Sequence, residues 1–194
     1  MQQQTIFLSI KNGGKGVPYG GADEDRPDGS RNFGFKNLRS NPEEIEVIPE
    51  AQNVPALKNA LRVLNAPESP FFTIGCEKAL QKNDLGYQVN GYLEFAFNYC
   101  ELVADAQFYF KLFFDFNQWY WSQQQQAVQF VFELEGAQFL DANVAGLTMS
   151  VWIATSSLPT EELARSTWEA AIDLIVASPS LYSVPDDNPY RRIY

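Results

Sequence analysis

The sequence predicts an α+β fold: an antiparallel β-meander of about five strands, a C-terminal helix packed on one face, a second helix before the sheet, and a long N-terminal loop. Three observations predict it. Hydrophobic residues alternate with period two through much of 92–155, as on a half-buried sheet. Two stretches, one before this region and one after it, carry apolar residues at helical spacing. Between the first apolar run and residue 42 the periodicity stops.

Taken in order, residues 5–10 read as a short strand rich in β-formers. Residues 11–42 follow with Gly-Gly-Lys-Gly, Pro-Tyr-Gly-Gly and Arg-Pro-Asp-Gly-Ser, a loop or arm longer than ordinary connections. Such a loop is held by a surface of its own domain or of a neighbouring chain, unless it is disordered. Residues 44–48 alternate as a short strand. Asn53 is placed to cap a helix whose first turn contains Pro55 and whose stripe is Leu57, Ala60, Leu61 and Leu64. Residues 71–80 read as a strand. Asn90-Gly91 marks a hairpin, or a bulge in a longer strand.

The aromatic stretch is expected to be sheet. Leu93, Phe95, Phe97 and Tyr99 share one face, against Glu94, Asn98 and Cys100. Phe108, Phe110, Leu112, Phe114 and Phe116 are expected inward, with Tyr109, Lys111, Phe113 and Asp115 outward. The glutamine run 123–126 would form a hairpin tip. Val128, Phe130, Phe132 and Leu134 then alternate with Gln129, Glu133 and Glu135, and Leu147, Met149, Val151 and Ile153 with Thr148, Ser150 and Trp152. Thr160 caps the last helix, whose stripe is Ala164, Trp168, Ala171, Ile172 and Ile175. Residues 179–194 form an aromatic tail expected to dock. The whole of 1–194 is read as one domain, large enough to hold a core without metal or disulfide.

Composition excludes several chemistries. The chain has no histidine, so neither a Ser-His-Asp nor a Cys-His centre can be built within it, and the commonest zinc sites are absent. Cys76 and Cys100 are not in a C-x-x-C spacing and are expected as buried thiols; they could pair only if their strands were neighbours in register. Gly13-Gly14-Lys15-Gly16 lacks the Ser/Thr and the helix that a phosphate loop requires. The acids around Asp23, Asp25 and Asp28 miss the calcium-loop spacing. No cofactor motif and no metal site is expected. Residues 5–10 are too short an apolar run for a signal peptide, and no apolar run of about 20 residues occurs, so the expected location is the cytoplasm, with later incorporation into a particle left open.

The formal net charge of −10 is uneven. Between Asp84 and Glu162 only Lys111 is basic, against ten acids, which argues against direct nucleic-acid binding by the sheet. The stretch from Lys11 to Arg39 holds six basic residues against four acids. From this comes the leading functional expectation: a non-catalytic structural or interaction subunit of a homo- or hetero-oligomeric assembly, such as a virion or tail component. In it the basic stretch around Lys11, Lys15, Arg26, Arg31, Lys36 and Arg39 docks on an acidic sheet face of the same or an adjacent subunit, and the tail residues Tyr190, Arg191 and Arg192 make further contacts. Phe113, Trp119, Trp121 and Trp152 are the rings that parity places outside the core, as interface or ligand residues. A module binding a carbohydrate or an apolar small molecule is the alternative. A glycoside hydrolase using two of Glu94, Asp115, Glu133 and Glu135, with carboxyls about 5 to 9 Å apart, is the third reading.

Overall fold

The computed structural model describes residues 6–21, 32–122, 128–182 and 190–194. Five strands form one sheet: β1 (Ile6–Val17), β2 (Phe71–Asn83), β3 (Gly86–Phe97), β4 (Val128–Phe139) and β5 (Val144–Thr155). Their order is β1-β4-β5-β3-β2. The helices are α1 (Pro55–Asn65), α2 (Cys100–Ala104), α3 (Ala106–Ser122) and α4 (Glu161–Ala177). The α+β class, the strand number and the C-terminal helix on one face agree with the sequence reading. The antiparallel meander does not: β1 pairs parallel to β4, so the sheet is mixed. Alternation identifies a strand and its buried face, but carries no information on the direction of the neighbour.

The largest correction concerns the aromatic run. Residues 106–122 form the helix α3, not a strand. Its buried residues Tyr109, Leu112, Phe113, Phe116 and Tyr120 follow helical spacing. Large apolar residues stand at nearly every position here, so a period-two set and a period-3.6 set can both be drawn through them. The start signal is Asp105, whose carboxylate accepts from the Gln107 amide at 2.9 Å. Rings of α3 pack on β4: Phe113 on Phe132 at 5.4 Å and Phe116 on Phe130 at 5.3 Å between centroids.

The glycines of the expected N-terminal loop lie partly inside a strand. β1 continues to Val17, with a register shift between Lys11 and Gly14 where Gly13 takes φ 133°. A bulge of this kind needs glycine for the same reason a turn does, so the local signal is shared. The stretch expected as a strand at 44–48 is a 3-10 turn, Pro42–Val47, which begins at a proline. The α1 cap position is Val54 rather than Asn53, which instead takes φ 58° in the left-handed region open to asparagine. Pro55 and the stripe of Leu57, Ala60, Leu61 and Leu64 stand as expected. The glutamine run lies outside the described residues.

α4 lies on the same sheet face as α3 and packs beside α1. Thr160 caps it, accepting from the Leu163 amide at 3.2 Å. The buried indole of Trp168 donates to the Ile153 carbonyl at 3.2 Å. Asn90-Gly91 is interior to β3, and the turn is at 84–85. Gly91 has a packing reason: a Cβ there would come within 2.3 Å of the Glu77 carbonyl oxygen and 2.7 Å of the Trp168 ring. Of the tail, residues 190–194 dock. The Asn98 side chain donates to the Tyr194 carbonyl at 2.7 Å and accepts from the Tyr194 amide at 2.8 Å.

Gly91→Ala is expected to cost about 2–3 kcal/mol, because the added methyl must displace the β2 backbone at Glu77 as well as the Trp168 ring. A urea unfolding midpoint equal to that of the parent protein would contradict this packing account.

Candidate functional site

The sheet face opposite α3 and α4 carries the polar residues of the alternating strands. The register places three rows across it. Phe7, Val131, Trp152, Tyr92 and Glu77 form one; Ser9, Glu133, Ser150, Glu94 and Gly75 form the next; Lys11, Glu135 and Thr148 begin the third. Trp152, 39% exposed, lies against Tyr92 with centroids 4.6 Å apart and planes at 47°. Its indole donates to Glu133 Oε1 at 3.4 Å. The aromatic row therefore borders a carboxylate row whose small members, Ser9, Ser150 and Gly75, leave depth between strands.

Lys15 organises the carboxylates. Its Nζ pairs with buried Glu94 and lies 3.2 Å from Glu135, which Lys11 also reaches at 3.2 Å. The bulge in β1 helps place both lysines by this face. Burial pushes the Glu135 carboxyl up, but hydrogen bonds and charge from Lys11 and Lys15 outweigh it and hold the group below the ordinary carboxylate range. Glu135 is therefore an anion at neutral pH.

Beside this network lies a cavity of about 510 Å³ at the β2 side of the sheet. Its floor is Gly75, Tyr92 and Glu94; Lys11, Lys15 and Glu135 close one side. Tyr19 and residues 32–34 form another wall, and Pro49 and Glu50 a third, with Cys76 and Glu77 on β2. The Tyr19 hydroxyl donates to the Ile74 carbonyl at 3.0 Å. A Cβ at Gly75 would come within 3.1 Å of that hydroxyl, so glycine there makes room for Tyr19. Burial, then the charges of Glu94 and Glu50, push Tyr19 up to about 12. Burial, then Glu50 and Glu77, push the Cys76 thiol up to about 12, so it is a neutral thiol rather than a nucleophile. Tyr92 is raised mainly by burial.

The residues singled out in the sequence scatter. Phe113 is buried in the α3–β4 contact, not outward, because the helix replaces the assumed strand parity. Trp119 is half-buried against the core beside Phe116, and the Trp121 indole donates to Asn117 Oδ1 at 3.0 Å; both belong to α3, away from the sheet face that carries Trp152. Asp115 is also on α3, paired with Lys111, so Glu94, Glu133 and Glu135 share the expected face without it. Arg39 donates to the carbonyls of Ala66, Pro67, Ser69 and Phe71 at 2.8–3.1 Å, where it ties the end of α1 to β2. Arg191 donates to Cys100 Sγ and to the Ala142 carbonyl, and Arg192 to the Pro67 carbonyl with its guanidinium over Tyr99. Tyr190 is partly exposed. Arg26, Arg31 and the acids near Asp25 lie outside the described residues. Cys76 and Cys100 are both free thiols. Among the described residues no group of three or more His, Cys, Asp or Glu side chains could hold a metal ion, and no helix is long and apolar enough to cross a membrane.

Tyr19, Glu50, Cys76, Glu77 and Tyr92 were not singled out from the sequence as site residues. Tyr92 alone had a signal, since it shares the strand parity of Glu94. No family model, no curated protein and no solved structure matches the chain.

Removing Lys15 leaves the Glu94 carboxylate buried without its cation, so Lys15→Met is expected to destabilise by about 3 kcal/mol. Adding Glu94→Gln should restore more than half of that loss. Equal and additive losses in chemical denaturation of the two single variants and the double variant would show that the pair is not coupled.

Proposed function

We propose that the protein is a non-catalytic binding module that takes a small polar ring ligand, of carbohydrate type, on its open sheet face and in the adjoining cavity. The observation that carries the reading is the continuity of the aromatic row, from Phe7 past Trp152 to Tyr92, with a polar cavity of saccharide size. A pyranose presents an apolar face that stacks on an aromatic ring and a hydroxyl rim that meets charged and amide groups. Catalysis is not part of the reading. A general acid must keep its proton near neutral pH, whereas Glu135 is held ionised and Glu94 is paired with Lys15.

The expected result is saturable binding of one among cellotetraose, xylotetraose and N-acetylated chitotetraose, with quenching of tryptophan fluorescence. Trp152→Ala should weaken it by about 2 kcal/mol, near thirtyfold. Affinity unchanged by that substitution would reject the face as the site.

A second reading keeps the assembly expected from the sequence. It is favoured by the outer edge of β1, which has no strand neighbour among the described residues and carries Ile10 at 71% exposure. Phe114 of α3, 60% exposed, is a further apolar group on the outside. In this reading a second copy pairs along β1, and Arg39, Arg191 and Arg192 serve mainly to hold their own chain. Light scattering is expected to report a dimer that Ile10→Lys dissociates. A monomer up to millimolar concentration would remove this reading.

A further inference from the structure

We propose that Lys15 and Glu94 condense in the folded protein to a side-chain amide, an internal cross-link from β1 to β3, with Glu135 carrying the proton. The proposal is independent of any ligand of the cavity.

Three groups converge on one nitrogen. Lys15 Nζ pairs with Glu94 Oε1 and lies 3.2 Å from Glu135 Oε2. Enclosure sets this group apart. The Glu94 side chain is 5% exposed and that of Glu135 12%, whereas every other carboxylate in an ion pair of the described residues is at least 37% exposed. Lys11 also reaches Glu135, but its side chain is half exposed and water competes for it; Lys15 is the more enclosed of the two. A charge pair is costly to keep in such a place, and conversion to a neutral amide removes both charges. Well-oriented neighbours react as though at an effective molarity of about 10⁵ M or more. That offsets the dilution and the competing water that keep a free amine and a free acid apart.

The step needs no co-reactant. Within the pair one ammonium proton passes from Nζ to the Glu94 carboxylate, leaving an amine and a carboxylic acid. The Nζ lone pair then bonds to Cδ of Glu94, and the carbonyl electrons move onto oxygen. Ser150 stands opposite Glu94 on β5, its hydroxyl within cross-strand reach of that oxyanion. Glu135 accepts a second proton from Nζ as the bond forms; its hydrogen bond with Lys11 helps keep it ionised and able to act as a base. The oxyanion collapses, the C–OH bond breaks, and the hydroxyl leaves as water with the proton returned by Glu135. Of the three ammonium protons, one stays on the amide nitrogen and two leave in the water. Glu135 has then lost the Lys15 ammonium. Thr148, fully buried and directly opposite Glu135, carries a hydroxyl with no hydrogen-bond partner among the described residues, and can donate to it instead.

The test is peptide mapping by mass spectrometry of the full-length protein after several days folded at neutral pH. The expected result is a joined species of two tryptic peptides, one containing Lys15 and one containing Glu94, lighter by one water than their sum, with no cleavage after Lys15. Protein kept in concentrated urea from the start should show no joined species, because the unfolded chain does not bring the groups together. Lys15→Arg keeps the charge and serves as the unlinked reference. Glu135→Gln keeps the size of the side chain and removes the base, so formation of the link should slow about a hundredfold while circular dichroism shows the fold retained. Separate peptides with free cleavage after Lys15, from protein that has been folded throughout, overturn the proposal. A link to a different carboxylate, or one formed equally in urea, also overturns it. A link formed as fast in Glu135→Gln removes Glu135 from the step.

Discussion

The buried carboxylate of Glu94 is the constraint on which the open half of the molecule depends. A charge held in the middle of a sheet must be neutralised where it stands, and the ammonium that does so comes from β1. Lys15 reaches Glu94 across β4 and β5, which separate their strands. That reach requires β1 to run beside β4 in one register and to bulge between Lys11 and Gly14, so that Lys15 comes opposite Ala137. The hydrophobic ends of β1, Ile6 and Val17, are both fully buried and fix the strand at either side of the bulge. The N-terminal strand is thereby tied to the sheet by apolar anchors at its ends and by ionic ones in the middle.

The two faces solve different problems. On the helical face, Phe113, Phe116, Trp168 and the apolar rows of β3, β4 and β5 interlock, and each fully buried large side chain contributes roughly 1.5–3 kcal/mol to the fold. On the other face none of the described helices lies over the centre. Its upper end is closed by aromatic contacts from distant segments: Phe35 stacks on Tyr194 at 5.5 Å and meets Phe72 at 6.4 Å, and Phe72 meets Phe139 at 5.9 Å. This cluster seals the sheet above the lysine network and leaves the Trp152 end open. The polar centre is therefore bounded on one side by packing and on the other by solvent.

Much of this was legible where one period dominated. α1 and α4 declare themselves through stripes of small and aliphatic residues, and β4 and β5 through strict alternation with glutamate, serine and threonine. That alternation also placed Glu94, Glu133, Glu135 and Trp152 on one face. α3 was not legible, because a segment that is aromatic at most positions satisfies a strand and a helix equally, and tertiary packing makes the choice. The glycines of β1 misled for a related reason: a bulge and a turn draw on the same conformational freedom. The cavity was beyond reach, since it joins Tyr19, Glu50, Glu77 and Tyr92 from segments with no shared period.

The docking of residues 190–194 has a consequence of its own. Asn98 holds Tyr194 through the main chain, with the amide donating to one peptide group and accepting from the same residue, while the Asn98 carbonyl accepts from the Ile193 amide at 3.2 Å. Grips of this kind read backbone direction and spacing, not side-chain identity. Substitutions at 193 and 194 therefore leave these main-chain hydrogen bonds in place so long as the path of the segment is kept, and the ring at 194 tunes how firmly it is seated against Phe35 and Phe72. Such a seat separates path from composition: the main chain sets where residues 193 and 194 run, and their side chains set how tightly they pack.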